Sequence, residues 1–442
     1  MAVLAAVAAV ATVATVATVA TVATVAAVAA ITAVSLPRTA HGQVLPREPG
    51  ITMEEARARA IRSNPELQAG AAHARALEGA LRQSRALPNP DVSFEAEDFG
   101  GNLPPDFVSQ RTLSVSERVE WFGKRSARVE AARLERDVAA LDLERRRRDV
   151  LQEVDRRFAL LLVSQERLAI AEENAETARE LRAAVSALVS AGEVSPIEET
   201  RALGDEALAE IERDAASRDL VLSGRSFSQL WGDASGSVPR AEGRLVSGAS
   251  APDREEALAN LARLPDLARW EAETARLEAL ETLAGRQALP DFTVSAGARS
   301  FVGTGQRSWV AGLSFPLPLL TAYSGARSEA TARLEKARAE RRAEELRLRT
   351  AFLAAEETFR HASREVRLLE ERVLPNARQV YEALSEGYRR GKFRLLDLLE
   401  ARRALATARL RSVDALSRLN LALADLGRLT PGALAREAGG TR

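Results

Sequence analysis

Residues 86–97 read ALPNPDVSFEAE and residues 288–298 read ALPDFTVSAGA, and in both segments a helix-like sequence changes to a strand-like one. Proline ends the helical pattern, at Pro88 and Pro90 in the first segment and at Pro290 in the second, because its ring removes an N–H donor and clashes with the preceding turn. After the prolines, apolar and polar residues alternate with a period of two, which is typical of a strand with two different faces. The sequence therefore predicts a helix followed by a strand at two places in the chain.

These two segments belong to an internal repeat. Short matches recur in the same order at offsets between 199 and 202 residues, which indicates two copies of one structural unit. The matches are Glu54-Glu55-Ala56 with Glu255-Glu256-Ala257, Asn64-Pro65-Glu66-Leu67 with Leu264-Pro265-Asp266-Leu267, Ala86-Leu87-Pro88 with Ala288-Leu289-Pro290, Pro90-Asp91-Val92 with Pro290-Asp291-Phe292, Arg125-Ser126-Ala127-Arg128 with Ser324-Gly325-Ala326-Arg327, and Gly192 with Gly391. We predict a first repeat over residues 43–230, a linker over 231–252, a second repeat over 253–432 and a flexible tail over 433–442.

Each copy contains two segments of about ten residues in which polar and apolar residues alternate. The apolar positions are Val92, Phe94, Ala96, Leu113, Val115, Val119 and Trp121 in the first copy and Phe292, Val294, Ala296, Ala298, Trp309, Ala311, Leu313 and Phe315 in the second. Ten of the nineteen aromatic residues lie in or beside these segments: Phe94, Phe99, Phe107, Trp121, Phe122, Phe292, Phe301, Trp309, Phe315 and Tyr323. Strands of this length with aromatic ends are typical of a membrane barrel. Two hairpins of a soluble β-sandwich are the alternative, because alternation does not distinguish lipid from a protein core.

Very long helical segments follow each strand pair. Residues 124–190 contain no proline and no glycine, and as one helix they would extend about 100 Å. A turn at Gly192-Glu193-Val194-Ser195-Pro196 then reverses the chain into a second helical segment. The second copy repeats this order, with its turn at Gly391-Lys392-Phe393-Arg394. The sequence therefore predicts one long helical hairpin in each copy.

The first 37 residues carry no charged side chain, and residues 11–25 are five consecutive Ala-Thr-Val triplets. We interpret residues 1–42 as a secretory signal peptide. Ala40 and Gly42 supply the small residues expected at −3 and −1 for cleavage before Gln43. The alternative is a retained membrane anchor, because the apolar run is long and lacks a basic start.

Composition argues against several classes of function. The chain has no cysteine, three histidines and two methionines, so we predict no metal site and no cofactor. It also lacks a nucleophile, base and acid at mechanistic spacing, which argues against an enzyme. The 62 basic and 62 acidic residues balance, and the run Arg145 to Arg148 has acidic neighbours on both sides. That run is therefore interpreted as a solvated coiled-coil face, and no nucleic-acid partner is expected.

The predicted strands are too few to form a barrel in one chain. The smallest membrane barrels need about eight strands, and open strand edges are not viable in lipid. If the four predicted strands lie in a membrane, several copies must contribute strands to one barrel. Three copies would supply three times four strands, or twelve, and the same symmetry would surround a hollow tube of long helices.

The order helix, strand pair and long helical hairpin, all duplicated, resembles that of the TolC-type outer membrane efflux proteins over roughly residues 50–432. The motifs that carry the resemblance are Asn64-Pro65-Glu66-Leu67, Leu87-Pro88-Asn89-Pro90 and Tyr388-Arg389-Arg390-Gly391. Residues 86–101, 113–116 and 123–125 look most like the cobalt–zinc–cadmium branch of that family. The resemblance implies a mainly α fold with a small β part: four transmembrane strands per subunit, a homotrimeric 12-stranded β-barrel, and a long α-helical coiled-coil barrel.

The same resemblance implies a location in the outer membrane, in contact with its lipid and extending into the periplasm. It implies the channel component of a tripartite efflux system, which conducts substrates passively, heavy-metal cations above all, to the exterior. The implied partners are a periplasmic adaptor and a resistance-nodulation-division pump of the inner membrane. The alternative is a periplasmic adaptor or structural coiled-coil protein of an export complex.

The resemblance also implies roles for individual residues. Tyr388 matches a tyrosine that helps to close the family's periplasmic aperture, and Asp397 and Glu400 match two acidic positions that ring it. Phe393 stands where the family has a gate arginine. The positions that match the adaptor-contacting tips are Gly192, Glu193, Val194, Ser195, Gly391, Lys392, Phe393 and Arg394. The alternatives are that Asp397 and Glu400 are ordinary surface residues of a coiled coil, and that glycine serves the tight reversal.

Overall fold

The computed structural model of the protein describes residues 50–98, 108–317 and 324–430. The predicted signal peptide, the predicted tail over residues 433–442, and the aromatic residues Phe99, Phe107 and Tyr323 lie outside the described residues. The described part is mainly helical with one small sheet, as predicted.

Both halves of the chain contain the same order of elements. The first half consists of α1 (Met53–Ser63), α2 (Pro65–Ser84), β1 (Asp91–Glu97), β2 (Gln110–Val119), α3 (Lys124–Ser190), α4 (Pro196–Ser228) and a 3-10 turn (Gln229–Trp231). The second half consists of α5 (Arg254–Leu261), α6 (Pro265–Gln287), β3 (Phe292–Phe301), β4 (Arg307–Ser314), α7 (Ser324–Leu368), a π-helical turn (Leu369–Val373), α8 (Leu374–Arg389) and α9 (Leu395–Leu429). The exact bounds of the two repeats and the linker stay a prediction.

The joint between α1 and α2 explains the motif at residues 64–67. The Asn64 side-chain oxygen accepts hydrogen bonds from the N–H groups of Glu66 at 2.9 Å and Leu67 at 3.1 Å, and its amide donates to the carbonyl of Leu230 at 2.8 Å. Pro65 occupies the first turn of α2, where no helical N–H is needed. The motif therefore ends one helix, starts the next, and fixes both to the end of α4.

Two apolar cores hold the helices together, one in each half. In the first half, the ring of Phe227 meets Phe158 at 5.8 Å and Trp231 at 4.9 Å, in edge-to-face contacts. In the second half, Phe352 and Phe359 are buried at the equivalent place. Phe227 is 0% exposed, and truncation of such a ring costs about 3–5 kcal/mol. These cores fix the short helices against the long ones below the sheet.

Near Pro375 the long helix of the second half widens. A proline at this place is expected to kink or interrupt a helix, and the structure has the π-helical turn Leu369–Val373 ahead of it, with Leu374 between. Proline lacks the N–H that would continue the helical ladder, so the turn absorbs the lost hydrogen bond. The long helix of the first half has no proline and runs unbroken for 67 residues.

The four strands form one antiparallel sheet in the order β1-β2-β3-β4. The central pair, β2 and β3, comes from different halves of the chain, with Gln110 opposite Phe301 and Val119 opposite Phe292. The sheet is open, and β1 and β4 are its edges. β1 and β3 end, and β2 and β4 begin, at the same end of the sheet, whereas the helices lie next to the strands at the opposite end.

Candidate functional site

The two helical hairpins turn in the same way at their tips. Gly192 and Gly391 have φ angles of +76° and +70°, which favour glycine because it has no Cβ. In the first tip the N–H of Glu193 donates to the carbonyl of Leu188 at 2.9 Å, and the equivalent bond closes the second tip at 2.8 Å. Both ends are Schellman motifs. At the two tips the predicted contact residues are exposed, apart from the half-buried Val194.

A small apolar cluster packs the two hairpin ends together. It is made of Val185, Ala202, Leu395 and Leu399, with Leu181, Val189 and Tyr388 packed against it. Burial and the nearby negative charge of Glu198 raise the pKa of the Tyr388 hydroxyl, since both disfavour the phenolate. This hydroxyl is buried and has no hydrogen-bond partner among the described residues. The structure therefore places Tyr388 at the junction of the two hairpins, and its hydroxyl makes no hydrogen bond to the described residues.

Asp397 and Glu400 lie on the same face of α9, near its start. Leu395, Leu398 and Leu399 are buried on the other side of the helix, whereas Glu400 is exposed and the Asp397 side chain is 33% exposed. The Asp397 carboxylate accepts a hydrogen bond from the N–H of Arg394 at 3.2 Å and lies 3.5 Å from its guanidinium. Asp397 therefore caps its own helix. Glu400 has no ion-pair partner in the described part of the chain.

Phe393 has an intramolecular contact that its position in the family pattern did not suggest. A Cβ built on Gly387 would lie 2.3 Å from Cδ2 of Phe393, so the ring rests directly on the backbone of α8. About half of Phe393 (46%) stays exposed. Glycine at position 387 is thus needed for this close approach, and the tip presents an aromatic edge at the position that matches the family's gate arginine.

A buried ion pair links the two hairpins and was missed by the sequence analysis. The Asp205 side chain of α4 is 5% exposed and binds the guanidinium of Arg402, which is 10% exposed. Arg403 reaches the same carboxylate at 3.1 Å, and Arg402 also donates to the carbonyl of Asn174 at 3.4 Å. The signal in the sequence is Arg402 alone, which falls on the apolar face of α9 with Leu398 and Leu405, whereas Arg403 is 60% exposed.

The sheet has one apolar and one polar face. The apolar face is exposed, with Val92 70%, Phe94 66%, Leu313 65% and Trp309 90% exposed. At the end where the helices attach, the exposed ring of Trp121 lies 6.5 Å from Phe292, which lies 5.6 Å from Phe315. Such a surface is unusually apolar for contact with water.

The opposite face of the sheet carries small polar residues and a hydrogen-bonded network. Ser93 and Ser114 share a hydrogen bond of 2.7 Å. The Arg299 guanidinium donates to Thr112 at 3.0 Å and to Gln110 at 2.8 Å. One face of the sheet is therefore apolar, and the other is polar and carries hydrogen bonds between side chains of neighbouring strands.

The described residues contain neither a membrane-spanning helix nor a cluster of metal ligands. No helix in the described ranges is long and apolar enough to cross a membrane. Over the same ranges, no group of three or more His, Cys, Asp or Glu residues is placed to hold a metal ion. The charged residues that the structure does bring together form ion pairs within single helices, such as Arg133 with Glu130, and between helices, such as Arg402 with Asp205.

Comparisons with known proteins agree with this geometry. The outer membrane efflux protein family matches residues 56–233 and 258–432. The cobalt-zinc-cadmium resistance protein CzcC of Cupriavidus metallidurans is 32% identical over 388 residues, which is 87% of this chain and 92% of that protein. The nickel and cobalt resistance protein CnrC of the same organism is 30% identical over 259 residues, 58% of this chain and 60% of that protein.

Among solved structures, the outer membrane channel CmeC of Campylobacter jejuni has the same fold. Its TM-score is 0.75 at 15% identity, and the match covers 91% of this chain and 94% of that one. The fold and the family match agree over both halves of the sequence. The chain belongs to the outer membrane efflux protein family.

Proposed function

We propose that this protein is the outer-membrane channel of a tripartite efflux system and that it conducts heavy-metal cations passively to the exterior. In this proposal it catalyses no reaction and needs no cofactor. A periplasmic adaptor and a resistance-nodulation-division pump deliver the substrate. One relative is named a cobalt-zinc-cadmium resistance protein and another a nickel and cobalt resistance protein. These names support divalent metal ions as the substrate.

The observation that carries the proposal is the four-stranded sheet with its exposed apolar face. No described residue covers side chains such as Phe94, Leu313 and Trp309, and water is a poor solvent for such a surface. Lipid on the apolar face and water on the serine-rich face satisfy both sides of the sheet. The strands thus become the membrane part of the channel, and the helices extend below them into the periplasm.

The open edges of the sheet support a homotrimer. The backbone groups of β1 and β4 that face away from the sheet need partners in lipid, and a second copy supplies them when β4 of one chain pairs with β1 of the next. Three copies close a barrel of three times four strands, or twelve. Such a head-to-tail ring is a closed heterologous assembly.

Exposed apolar side chains on the helices support the same ring. On α4, Leu208, Ile211 and Leu222 are between 57% and 65% exposed, and on α7 Leu346 is 67% and Leu353 is 37% exposed. Ile211 and Leu222 follow Leu208 by three and fourteen residues, and Leu353 follows Leu346 by seven. These spacings are those of a coiled-coil seam. We propose that α4 of one chain packs against α7 of its neighbour and that the helices enclose the periplasmic duct.

We propose that the hairpin ends form the aperture of this duct. Tyr388 closes the junction of the hairpins, and Asp397 and Glu400 place negative charge at the opening, where three copies attract cations. Phe393 cannot make the salt bridge of a gate arginine. The buried pair of Asp205 with Arg402 takes over the task of holding the two hairpins together.

The exposed tips are the proposed contact surface for the adaptor. They comprise Gly192, Glu193, Val194 and Ser195 in the first hairpin and Gly391, Lys392, Phe393 and Arg394 in the second. The glycines allow the tight reversal, and Phe393 offers an apolar edge between two cationic side chains. An apolar residue in a polar surround is the common pattern of a protein contact.

The proposal is tested by expressing the full chain in a Gram-negative host and fractionating the cells. We expect the protein in the outer membrane, as a trimer that is stable in detergent without heating and dissociates on boiling. Deletion of its gene should lower the concentration of zinc, cobalt or cadmium that the original cells tolerate, and the restored gene should reverse this. A strictly soluble monomer, as a periplasmic adaptor would give, contradicts the proposal.

A further inference from the structure

A row of side chains with two arginines crosses the sheet at the border of its apolar face. The strand register places Arg111 of β2 opposite Ser300 of β3, and Ser300 opposite Arg307 of β4. The row lies at the end of the sheet that is farthest from the helices. Because side chains two residues apart share a face, this row lies on the same face as Leu113 and Trp309.

The next row inward is entirely apolar. It consists of Phe94, Leu113, Ala298 and Trp309, in register across the four strands. Trp309 is 90% exposed and stands next to Arg307 in the strand direction. The surface therefore changes from apolar to cationic between two adjacent rows, which are about 7 Å apart along the strands.

Within the described residues, no acidic side chain neutralises either arginine of the border row. Arg111 and Arg307 are exposed, and no carboxylate of the described residues pairs with either of them. Arg299, on the polar face, differs: Thr112 and Gln110 accept its hydrogen bonds, and the Glu97 carboxylate lies 3.6 Å away. The described residues thus provide partners for Arg299 on the polar face and no carboxylate partner for the two arginines on the apolar face.

The other strand charge on this face is too far away to pair with them. Glu117 lies six residues along β2 from Arg111, a distance of about 20 Å along the strand. Among the described residues, the border row is therefore a local excess of two positive charges. The hydroxyl of Ser300 lies between them and donates a long hydrogen bond of 3.5 Å to the carbonyl of Arg111.

We propose that Arg111, Ser300 and Arg307 bind the phosphate headgroup of an anionic outer-leaflet lipid whose acyl chains cover the apolar row at Trp309. The α-carbons of the two arginines are separated by two strand spacings, about 10 Å, and their flexible stems let both guanidiniums turn toward one phosphate. Guanidinium groups match phosphate oxygens in a bidentate way, and long cationic side chains extend from an apolar surface to the headgroup level.

This site rests on the proposed function, because it requires the sheet to lie in a membrane with its helix-free end outward. The lipid chemistry follows from the two features together: a phosphate satisfies the arginines, and acyl chains cover the apolar row. A free phosphate ion would satisfy only the first feature.

The test measures lipid binding to the purified, delipidated trimer by native mass spectrometry. The probes are lipid A, which carries two phosphates, its dephosphorylated form, and inorganic phosphate. We expect the double variant Arg111→Gln/Arg307→Gln to bind lipid A about tenfold or more weakly than the parent. The matched control is Arg118→Gln, which removes an exposed arginine from the same strand but from the opposite face, and it should bind as the parent does. The variant Arg111→Lys/Arg307→Lys keeps both positive charges but loses the bidentate guanidinium groups. Its affinity for lipid A should lie between those of the parent and the glutamine variant.

Three outcomes overturn the proposal: equal binding by parent and double glutamine variant, equal binding of the dephosphorylated lipid, or full competition by inorganic phosphate at the lipid's own concentration. Trimer stability on unheated gels and single-channel conductance are recorded on the same preparations. If the parent forms no conducting trimer, the proposed function fails. If parent and variants all conduct but bind lipid A alike, only the lipid site fails.

Discussion

The two acidic residues at the start of α9 differ in how freely their charge is available. The Asp397 carboxylate is engaged by the backbone and the guanidinium of Arg394, whereas Glu400 is exposed and unpaired within the described ranges. A carboxylate that caps a helix is partly compensated by the helix dipole and by its neighbour. Glu400 therefore contributes more of the negative potential at the proposed aperture than Asp397 does.

This difference predicts an order of effects on ion selectivity. In single-channel recordings across a salt gradient, Glu400→Gln should lower the preference for cations more than Asp397→Asn does, and Asp397→Ala/Glu400→Ala should lower it most. Glu212→Gln, an exposed acid of α4 far from the aperture, is the control and should leave the reversal potential unchanged. Unchanged selectivity in the double variant would remove both residues from the aperture.

At the scale of the elements, one buried ion pair decides how two long helices are held together. Asp205 of α4 and Arg402 of α9 are both nearly buried, and Arg403 adds a second cation to the same carboxylate. Removal of one partner from such a pair leaves an uncompensated charge in a poorly hydrated place. The cost is about 3–5 kcal/mol, far more than an exposed pair contributes.

We expect Asp205→Asn to loosen the hairpins and to raise the open probability of the channel. The double variant Asp205→Asn/Arg402→Met should recover much of the lost stability, because no charge is then buried without a partner. The exposed pair of Arg213 with Asp214 on the same helix is the control, and Asp214→Asn should change neither the gating nor the melting temperature. A double variant as unstable as the single variant would show that the pair does not hold the hairpins.

At the scale of the whole molecule, the two faces of the sheet must lie in different solvents. Ala311, in the middle of β4, is exposed on the apolar face, and its neighbour Val310 points to the opposite, polar face. A charge on a lipid-facing strand costs about 2–4 kcal/mol near the middle of the bilayer, but a charge in a water-filled lumen costs little.

Ala311→Arg should therefore strongly reduce the amount of trimer in the outer membrane, measured on unheated gels of membrane fractions. Val310→Arg, with the same change in charge, should leave the trimer largely intact and alter its conductance. Equal loss in both variants would contradict lipid contact on the apolar face.

Much of the fold was predictable because its signals are local. The change of period after Pro88 and Pro290, the uninterrupted helical run from Lys124 to Ser190 and the glycine turns at both tips act within a few residues of the chain. The structure places a strand, a 67-residue helix and a Schellman motif at these positions. Local steric and hydrogen-bonding rules are enough to produce each of them.

The rest depends on contacts between residues that are distant in sequence. Asp205 and Arg402 are 197 residues apart, and nothing near either residue marks it as a partner until α4 and α9 pack together. Likewise, the pairing of Arg111 with Ser300 and of Ser300 with Arg307 follows from the register of β2, β3 and β4.

The sequence by itself thus determined the elements, their order and the two-faced strands, since these follow from the periodicity of neighbouring residues. Only the tertiary structure decided which charges neutralise each other and which stay free, because the energy of a charge depends on what packs around it.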